Sequence, residues 1–510
     1  MHLQLDGKGT LHSQLTRALK AAMHGGLVGG SRLPASRLLA RELDLSRNTV
    51  LAAYEQLRAE GFIEGRVGSG SYIAAQLPAV RPQPVSPLGE VAPQSARARR
   101  VRECFEHGAM PGRDVPGARH AFQYGVPMAN PVLSSNWARA LSHAALYTSP
   151  GYPRTQGLLE LREATCDYLA RRRGVHALPE DVLIVGGTQQ AIALIADVLI
   201  DPGDVAVIED PHYFAIRTVL QAHGARMHAM EVDGDGMACD GLPRSGAKLL
   251  CVTPSHQFPT GAVMSLSRRM ALLDYAKRHQ AWIFEDDYDG EFRYGGKPLA
   301  ALRSLDEHNR VIYVGTFSKA LFPAMRLGYL VMPPQLRRDF ISAKWMSDFA
   351  SPGIEQAALA HFIKDGAFER HLRRTAHELK ARRQALIDGL RACSRGRLRI
   401  EDSQAGMHLV VWLPGRGDAD VAELVGHAQQ AGLGLYSIAP YYLHPQDRGG
   451  LLMGFGAMSV AEIEQALALF ARSLDAVFPV LSAKPPPPSP APHPTRRIRQ
   501  GRSRAASGSR

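Results

Sequence analysis

Five short apolar runs in the middle of the chain, at 181–187 (DVLIVGG), 205–210 (VAVIED), 248–254 (KLLCVTP), 281–287 (AWIFEDD) and 310–316 (RVIYVGT), alternate with stretches of helical pattern. Helices are expected from Thr188 and past Tyr213. Buried strands alternating with helices imply an α/β domain with a mostly parallel sheet covered on both faces. In such sheets ligands bind at the carboxyl ends of the strands, so the residues just after each run are where chemistry is to be sought.

The whole chain is 510 residues, too long for one hydrophobic core, and is expected to be multidomain. Residues 76–116 are rich in Pro, Ala and Arg and keep no hydrophobic period, which reads as a flexible linker between a domain at 1–75 and a larger one at 117–480. From 481 to 510 a proline run (Pro485 to Pro488) and arginines such as Arg496, Arg497 and Arg499 occur without any acidic residue, the composition of a disordered basic tail. A net charge of +12 is compatible with a polyanionic partner. The start, MHLQLDGKGT, has no secretory pattern, and the apolar stretch Ala191 to Ile200 is short and broken by Asp197, so a cytoplasmic protein without membrane contact is expected. Five cysteines lie far apart with no C-x-x-C pair, which suggests free thiols and no metal site.

In the first 75 residues Leu11, Leu15, Ala18, Leu19 and Ala22 share one helical face. Ser36 is placed to cap a short helix carrying Leu39 and Leu43, and Ser46 to cap a second whose inner face is Val50, Ala53, Tyr54 and Leu57. Two short helices joined by a tight turn make a helix-turn-helix. After Gly61, FIEG and SYIA flank the glycine-rich turn Arg66 to Gly70, the pattern of a two-stranded wing. Arg47, Asn48 and Thr49 fall in the first turn of the second helix, where a recognition helix meets bases and phosphates of double-stranded DNA. Arg47 suits guanine, and Ser46, Thr49 and the helix N-terminus suit phosphate.

The run LPASRLLARELDLSRNTVLAAYEQLRAEGFI with its GSGSYIA wing closely resembles the winged helix-turn-helix of the GntR family of bacterial repressors and activators, over nearly all of residues 10–74. The resemblance implies operator contacts by Arg37, Arg47, Asn48 and Thr49, with Gly68, and the neighbouring Arg66 of the wing, near the minor groove. Leu51 stands where some relatives carry a further DNA-contacting arginine, so an operator sequence does not carry over.

In RVIYVGTFSKALFPAMRLGY, Thr316, Ser318 and Lys319 follow an apolar strand, with Arg326 seven positions beyond the lysine. A desolvated lysine is the residue that forms a Schiff base with an aldehyde, and hydroxyls with an arginine hold a phosphate. AWIFEDDYDGEFRY puts Asp286 and Tyr288 at a neighbouring strand end, where a carboxylate can pair with a protonated pyridine nitrogen and a phenol with a ring oxygen. GGTQQ offers Gly187, Thr188 and a helix N-terminus to the phosphate, and Tyr213 is a candidate to stack on the ring. Together these are the needs of pyridoxal 5'-phosphate.

This order resembles the fold-type I PLP-dependent aminotransferases, and TPSHQFPTG, IFEDDYDGEFRY and GTFSKALFPAMRLGY resemble the MocR subfamily of GntR regulators, from about Phe122 to Phe470. The resemblance implies Lys319 as the internal aldimine lysine, Asp286 at the pyridine nitrogen, Tyr288 at the ring hydroxyl, Tyr213 stacking, and Gly187, Thr188, Thr316 and Arg326 around the phosphate. It also puts His256 and Gln257 in the pocket. One departure is RGGLLMGFGAM, where Leu451 and Leu452 occupy the place of the arginine that clamps a substrate carboxylate, with Arg448 or Arg217 as nearby substitutes.

The leading expectation is therefore a homodimeric, DNA-binding transcriptional regulator that senses pyridoxal phosphate, or an amino compound through aldimine formation. Its competitors are a working aminotransferase with an attached DNA-binding domain, and a DNA-binding protein whose large domain is only a dimerisation scaffold.

Overall fold

The computed structural model describes residues 3–66, 69–77, 94–106, 115–128, 131–295, 299–444 and 446–479. These fall into two compact units that divide between residues 93 and 94. Gly68, most of the expected linker and the whole basic tail lie outside the described residues.

The first unit contains α1 (Leu11–His24), α2 (Ser36–Glu42), α3 (Arg47–Ala59), β1 (Ile63–Arg66) and β2 (Gly70–Ile73). Leu15, Leu19, Leu39, Val50, Ala53 and Leu57 from the helices close over Phe62, Ile63 and Ile73 of the wing in one core. Leu11, expected on the buried stripe of α1, is exposed, because it opens the helix beyond that core. Ser46 caps α3 as its position implied, its side chain accepting a hydrogen bond from the Thr49 amide at 3.1 Å. Ser36 does not cap α2. The helix starts one residue earlier than the side-chain pattern implied, so Ser36 is its first residue, and the Ala35 carbonyl accepts from the amides of Leu38 and Leu39. β1 and β2 pair antiparallel, with Arg66 opposite Gly70.

The second unit begins inside the expected linker. Residues 96–106 form α4 (Ala96–Glu106), which packs on a later helix, α8 (Phe214–Ala222). The Arg100 Nε donates to the Ala222 carbonyl at 3.0 Å, and Arg97 Nη2 lies 2.8 Å from His223 Nε2 and 3.2 Å from Asp197 Oδ1. Four arginines in eleven residues hid this helix from a reading based on apolar period. After it come β3 (His120–Ala121), α5 (Pro131–Tyr147) and α6 (Leu159–Arg173).

The large sheet is built from β4 (Val182–Val185), β5 (Val205–Asp210), β6 (Arg226–Asp233), β7 (Gly236–Met237), β8 (Leu249–Val252), β9 (Trp282–Asp287), β10 (Val311–Thr316) and β11 (Gly328–Val331). Their spatial order is β4-β11-β10-β9-β8-β5-β6-β7. The central strands are parallel, and β11 and the short β7 run against their neighbours. Each of the five apolar runs read from the sequence is a strand. Alternate residues of one strand go to opposite faces: Leu183 and Val185 join one core, Val182 and Ile184 another. Helices α7 (Thr188–Leu199), α8 and α10 (Arg337–Asp348) cover the first face, and α9 (Leu266–His279), with α5, α6, α11 (Gly353–Lys364) and α12 (Ala367–Ser394), the second.

A smaller antiparallel sheet follows, β12 (Arg399–Glu401), β13 (His408–Leu413), β15 (Tyr436–Ser437) and β16 (Gly449–Gly454), in the order β12-β13-β16-β15. It is backed by α13 (Asp418–Gln430) and α14 (Val460–Val477), and β14 (Leu433–Gly434) between them pairs with β3. No helix among the described residues is long and apolar enough to cross a membrane.

Candidate cofactor pocket and DNA-binding surface

The carboxyl ends of β9 and β10 and the N-termini of α7 and α8 converge on a cavity of ≈ 410 Å³. Thr188, Tyr213, Asp286, Tyr288, Thr316, Ser318, Lys319 and Arg326 all line it, so eight residues read from separate stretches of sequence meet in space. Parallel pairing of β9 with β10 sets Val314 beside Asp286, which brings the carboxylate close to the strand end that carries Lys319.

Lys319 Nζ donates to the Gly125 carbonyl at 2.6 Å. Burial holds its amine below the usual lysine range, and Asp289 and Asp286 pull the other way. A lowered pKa raises the fraction of neutral, nucleophilic amine. Gly125 has φ +73°, a conformation that favours glycine, and a Cβ there would press on Nζ at 3.2 Å.

Asp286 is 4% exposed, and its Oδ1 has no hydrogen-bond partner. Burial, with Asp287 and Asp289 adding like charge, pushes its carboxyl up to about 8. A buried carboxylate oxygen aimed into a cavity without a partner is unsatisfied unless a cation or donor meets it there. A protonated pyridine nitrogen is such a group.

The phosphate end is built on α7. Gly187 caps the helix at φ +99°, and a Cβ on it would come within 3.3 Å of Arg326 Nη2. Gly187 itself does not line the cavity; it brings the Arg326 guanidinium up to the helix N-terminus, where Thr188 adds a hydroxyl. Thr316 Oγ1 accepts from the Ser318 amide at 3.1 Å, which shapes the turn leading to Lys319. These residues fit pyridoxal phosphate at both ends: a cationic cradle for its phosphate and a buried carboxylate for its ring nitrogen.

His256 is not at the cavity wall. It is 3% exposed and sits behind Tyr288, its Nδ1 lying 2.9 Å from Tyr288 Oη and 2.9 Å from Asp289 Oδ2. It therefore positions the phenol. Gln257 is also inside the protein, donating to the carbonyls of Pro211 (2.8 Å) and Phe258 (2.7 Å). Neither suggested substitute for the carboxylate clamp lines the cavity: Arg448 stacks on Trp412 at 4.1 Å, and Arg217 belongs to α8.

The sequence reading missed several wall residues: Tyr124, Gly125, Phe258, Asp289, His408 and Tyr441. Asp289 lay in a quoted motif, three residues after Asp286. His408 was visible as a lone histidine at the start of an apolar strand, HLVVWL.

In the first unit Arg37, Arg47 and Asn48 are exposed, and Thr49 is half-buried with its Oγ1 2.8 Å from Ser46 Oγ. Arg66 stacks over Tyr72 with its guanidinium carbon 4.5 Å from the ring centre. The N-terminus of α3 thus presents a guanidinium, an amide and free helix N–H groups to solvent, the groups that meet base edges and phosphates in a major groove.

A winged helix-turn-helix joined to a fold-type I pocket with its lysine defines a DNA-binding transcriptional regulator carrying a pyridoxal-phosphate domain. Residues 11–73 match the family model for bacterial regulatory proteins of the gntR family, and residues 124–467 match that for aminotransferase class I and II. The chain belongs to the MocR subfamily of GntR-family regulators. It is 34% identical to the probable rhizopine catabolism regulatory protein MocR of Rhizobium meliloti, over 91% of this chain and 94% of that protein. It is 30% identical to the pyridoxine biosynthesis transcriptional regulator PdxR of Corynebacterium glutamicum, over 90% and 96%. Among solved structures, the kynurenine aminotransferase of Pyrococcus horikoshii superposes with a TM-score of 0.65 at 25% identity, over 76% of this chain and 96% of that one. The regulators match about nine-tenths of this chain, which takes in both units, whereas the aminotransferase family model matches residues 124–467 alone, which favours regulation over aminotransferase catalysis.

Proposed function

We propose that the large unit is a sensor: Lys319 holds pyridoxal phosphate, and the pocket reads either the supply of that cofactor or the arrival of an amino compound. The observation that carries this reading is a cofactor-holding set complete from Lys319 to Asp286 and Arg326, beside a clamp position filled by the buried Leu452. Bound cofactor supplies an aldehyde carbon for amines and an electron-withdrawing ring. The chain's own part is to bind and orient it. Arg326 and the α7 N-terminus bind the phosphate, Asp286 holds the ring-nitrogen proton, Tyr288 meets the ring oxygen, and Tyr213 packs against the ring. Ligand binding changes DNA affinity to the extent that the DNA-bound and free forms bind the ligand differently.

A homodimer is part of this proposal. Tyr152 (90% exposed), Trp345 and Phe349 form a contiguous exposed aromatic patch, with Tyr152 and Phe349 ring centres 5.3 Å apart and those of Trp345 and Phe349 6.2 Å. Apolar surface of this kind marks an interaction face.

The test is a promoter-binding titration of wild type and Lys319→Ala, each with and without pyridoxal phosphate and candidate amines. The variant is expected to lose the visible absorbance of lysine-linked cofactor, to keep DNA binding, and to lose the ligand-dependent change in that binding. An unchanged ligand response in the variant overturns sensing through Lys319.

A further inference from the structure

The far end of the pocket carries information about the amine. In the smaller sheet His408 pairs with Gly454 and Val410 with Leu452 across β13 and β16. Residues opposite one another in an antiparallel pair, and those two apart on one strand, project from the same face. His408 lines the cavity, so Leu452 projects on the cavity side, where it is fully buried against Phe258 and Tyr441, themselves wall residues. The next position on that face is Gly454, where a Cβ would collide with the Gln123 carbonyl. Gly454 thus cannot carry a side chain and Leu452 carries an apolar one, so neither position supplies a cation.

The charges at the wall are already committed. Among the described residues lining the cavity, the basic side chains besides His408 are Lys319 and Arg326, the first taken up by the cofactor and the second by its phosphate. His408 is held neutral, burial and the neighbouring His256 pushing its imidazole down to about 4, and its Nε2 lies 3.0 Å from the Pro259 carbonyl. What remains is Asp289, a carboxyl 1% exposed whose Oδ2 lies 2.9 Å from His256 Nδ1, with the phenols of Tyr124 and Tyr441 hydrogen-bonded to each other. A second anion brought in by a ligand would be buried beside Asp289 and the cofactor phosphate with no counter-charge from the described residues of this chain, an arrangement that desolvation disfavours.

We propose, resting on the amine-sensing reading above, that the amine this pocket takes carries no carboxylate. It is a primary amine with an apolar, aromatic or hydroxylated body. Phe258 and Tyr441, backed by Leu452, receive that body, and Asp289 selects against acidic groups.

The experiment uses the full-length protein loaded with pyridoxal phosphate and two matched pairs, n-butylamine against γ-aminobutyrate and 2-phenylethylamine against L-phenylalanine. Cofactor absorbance and promoter binding are both read. In each pair the carboxylate-free member is expected to act at a concentration at least ~10-fold lower, equivalent to about 1.4 kcal/mol. Asp289→Asn should narrow that gap, and Leu452→Arg, if it folds, should reverse it. Equal or better action by the acid of either pair overturns the inference and leaves amine sensing standing. If neither member of either pair changes absorbance or promoter binding, amine sensing fails and the inference falls with it.

Discussion

Asp286 and Lys319 are a buried acid and a buried base whose charges are shifted in opposite senses by the same dehydration. For Asp286 the raised pKa fixes the sign of a stability effect. A carboxyl that is harder to ionise when folded favours the folded state below its unfolded value near 3.9, and that advantage is lost as pH rises through about 8. Cofactor-free protein should therefore melt at progressively lower temperature between pH 6 and 9, and Asp286→Asn should flatten part of that fall. Only part, because burial pushes Glu209, Glu285 and Glu291 up to about 7 and they titrate in the same window. Calorimetry of both proteins decides it, and parallel profiles would show that Asp286 does not contribute. The same variant should bind pyridoxal phosphate roughly 10- to 100-fold more weakly, the ~1.5–3 kcal/mol of a charged hydrogen bond. These two residues were legible in the sequence because each follows a run that could only be a buried strand. Tyr124 and Gly125 were not, since they follow a two-residue strand with no periodic signal. His256 was misplaced by one layer: its motif put it in the right loop, but the side chain turns behind Tyr288 to meet Asp289.

Among the elements, α3 has the most local sequence determinants. Ser46 caps it, Val50, Ala53, Tyr54 and Leu57 bury its inner face, and Arg47 is left in its exposed first turn. Arg47→Ala removes no packing, so the fold and cofactor absorbance should be unchanged while promoter affinity drops by ~1–3 kcal/mol if the arginine reads a guanine. Fluorescence anisotropy with the native promoter measures this, and undiminished, equally selective binding would show that α3 is not the reading helix. Strand positions were as legible as α3 wherever the runs were buried on both faces. β6 and β7 escaped, the first because its burial is partial and alternates with charge, the second because two residues carry no pattern. α4 escaped for a related reason. Its contacts with α8 are made partly through arginine stems and guanidinium groups, which a hydrophobic period does not register.

At the level of the whole molecule, the patch of Tyr152, Trp345 and Phe349 leads to a prediction about assembly. The wild type should be a dimer by light scattering at micromolar concentration, and Tyr152→Asp should shift it towards half that mass by burying a charge at the contact. A wild type that stays monomeric removes the dimer from the proposal. Assembly was legible in the sequence only through resemblance, because nothing in the local pattern around Tyr152 separates an interface from a surface.

The docking of α4 fixes where the chain leading from the DNA-binding unit is moored. Arg97 holds Asp197, two residues short of the end of α7, together with His223, which caps α8; Arg100 holds the last carbonyl of α8. At their opposite ends the same two helices present Thr188 and Tyr213 to the cavity. With 12 and 9 residues, α7 and α8 are lever arms of about 18 and 14 Å. A tilt of ~5° about the pocket end of α7 would displace its far end, where Arg97 is tied, by ~1.5 Å.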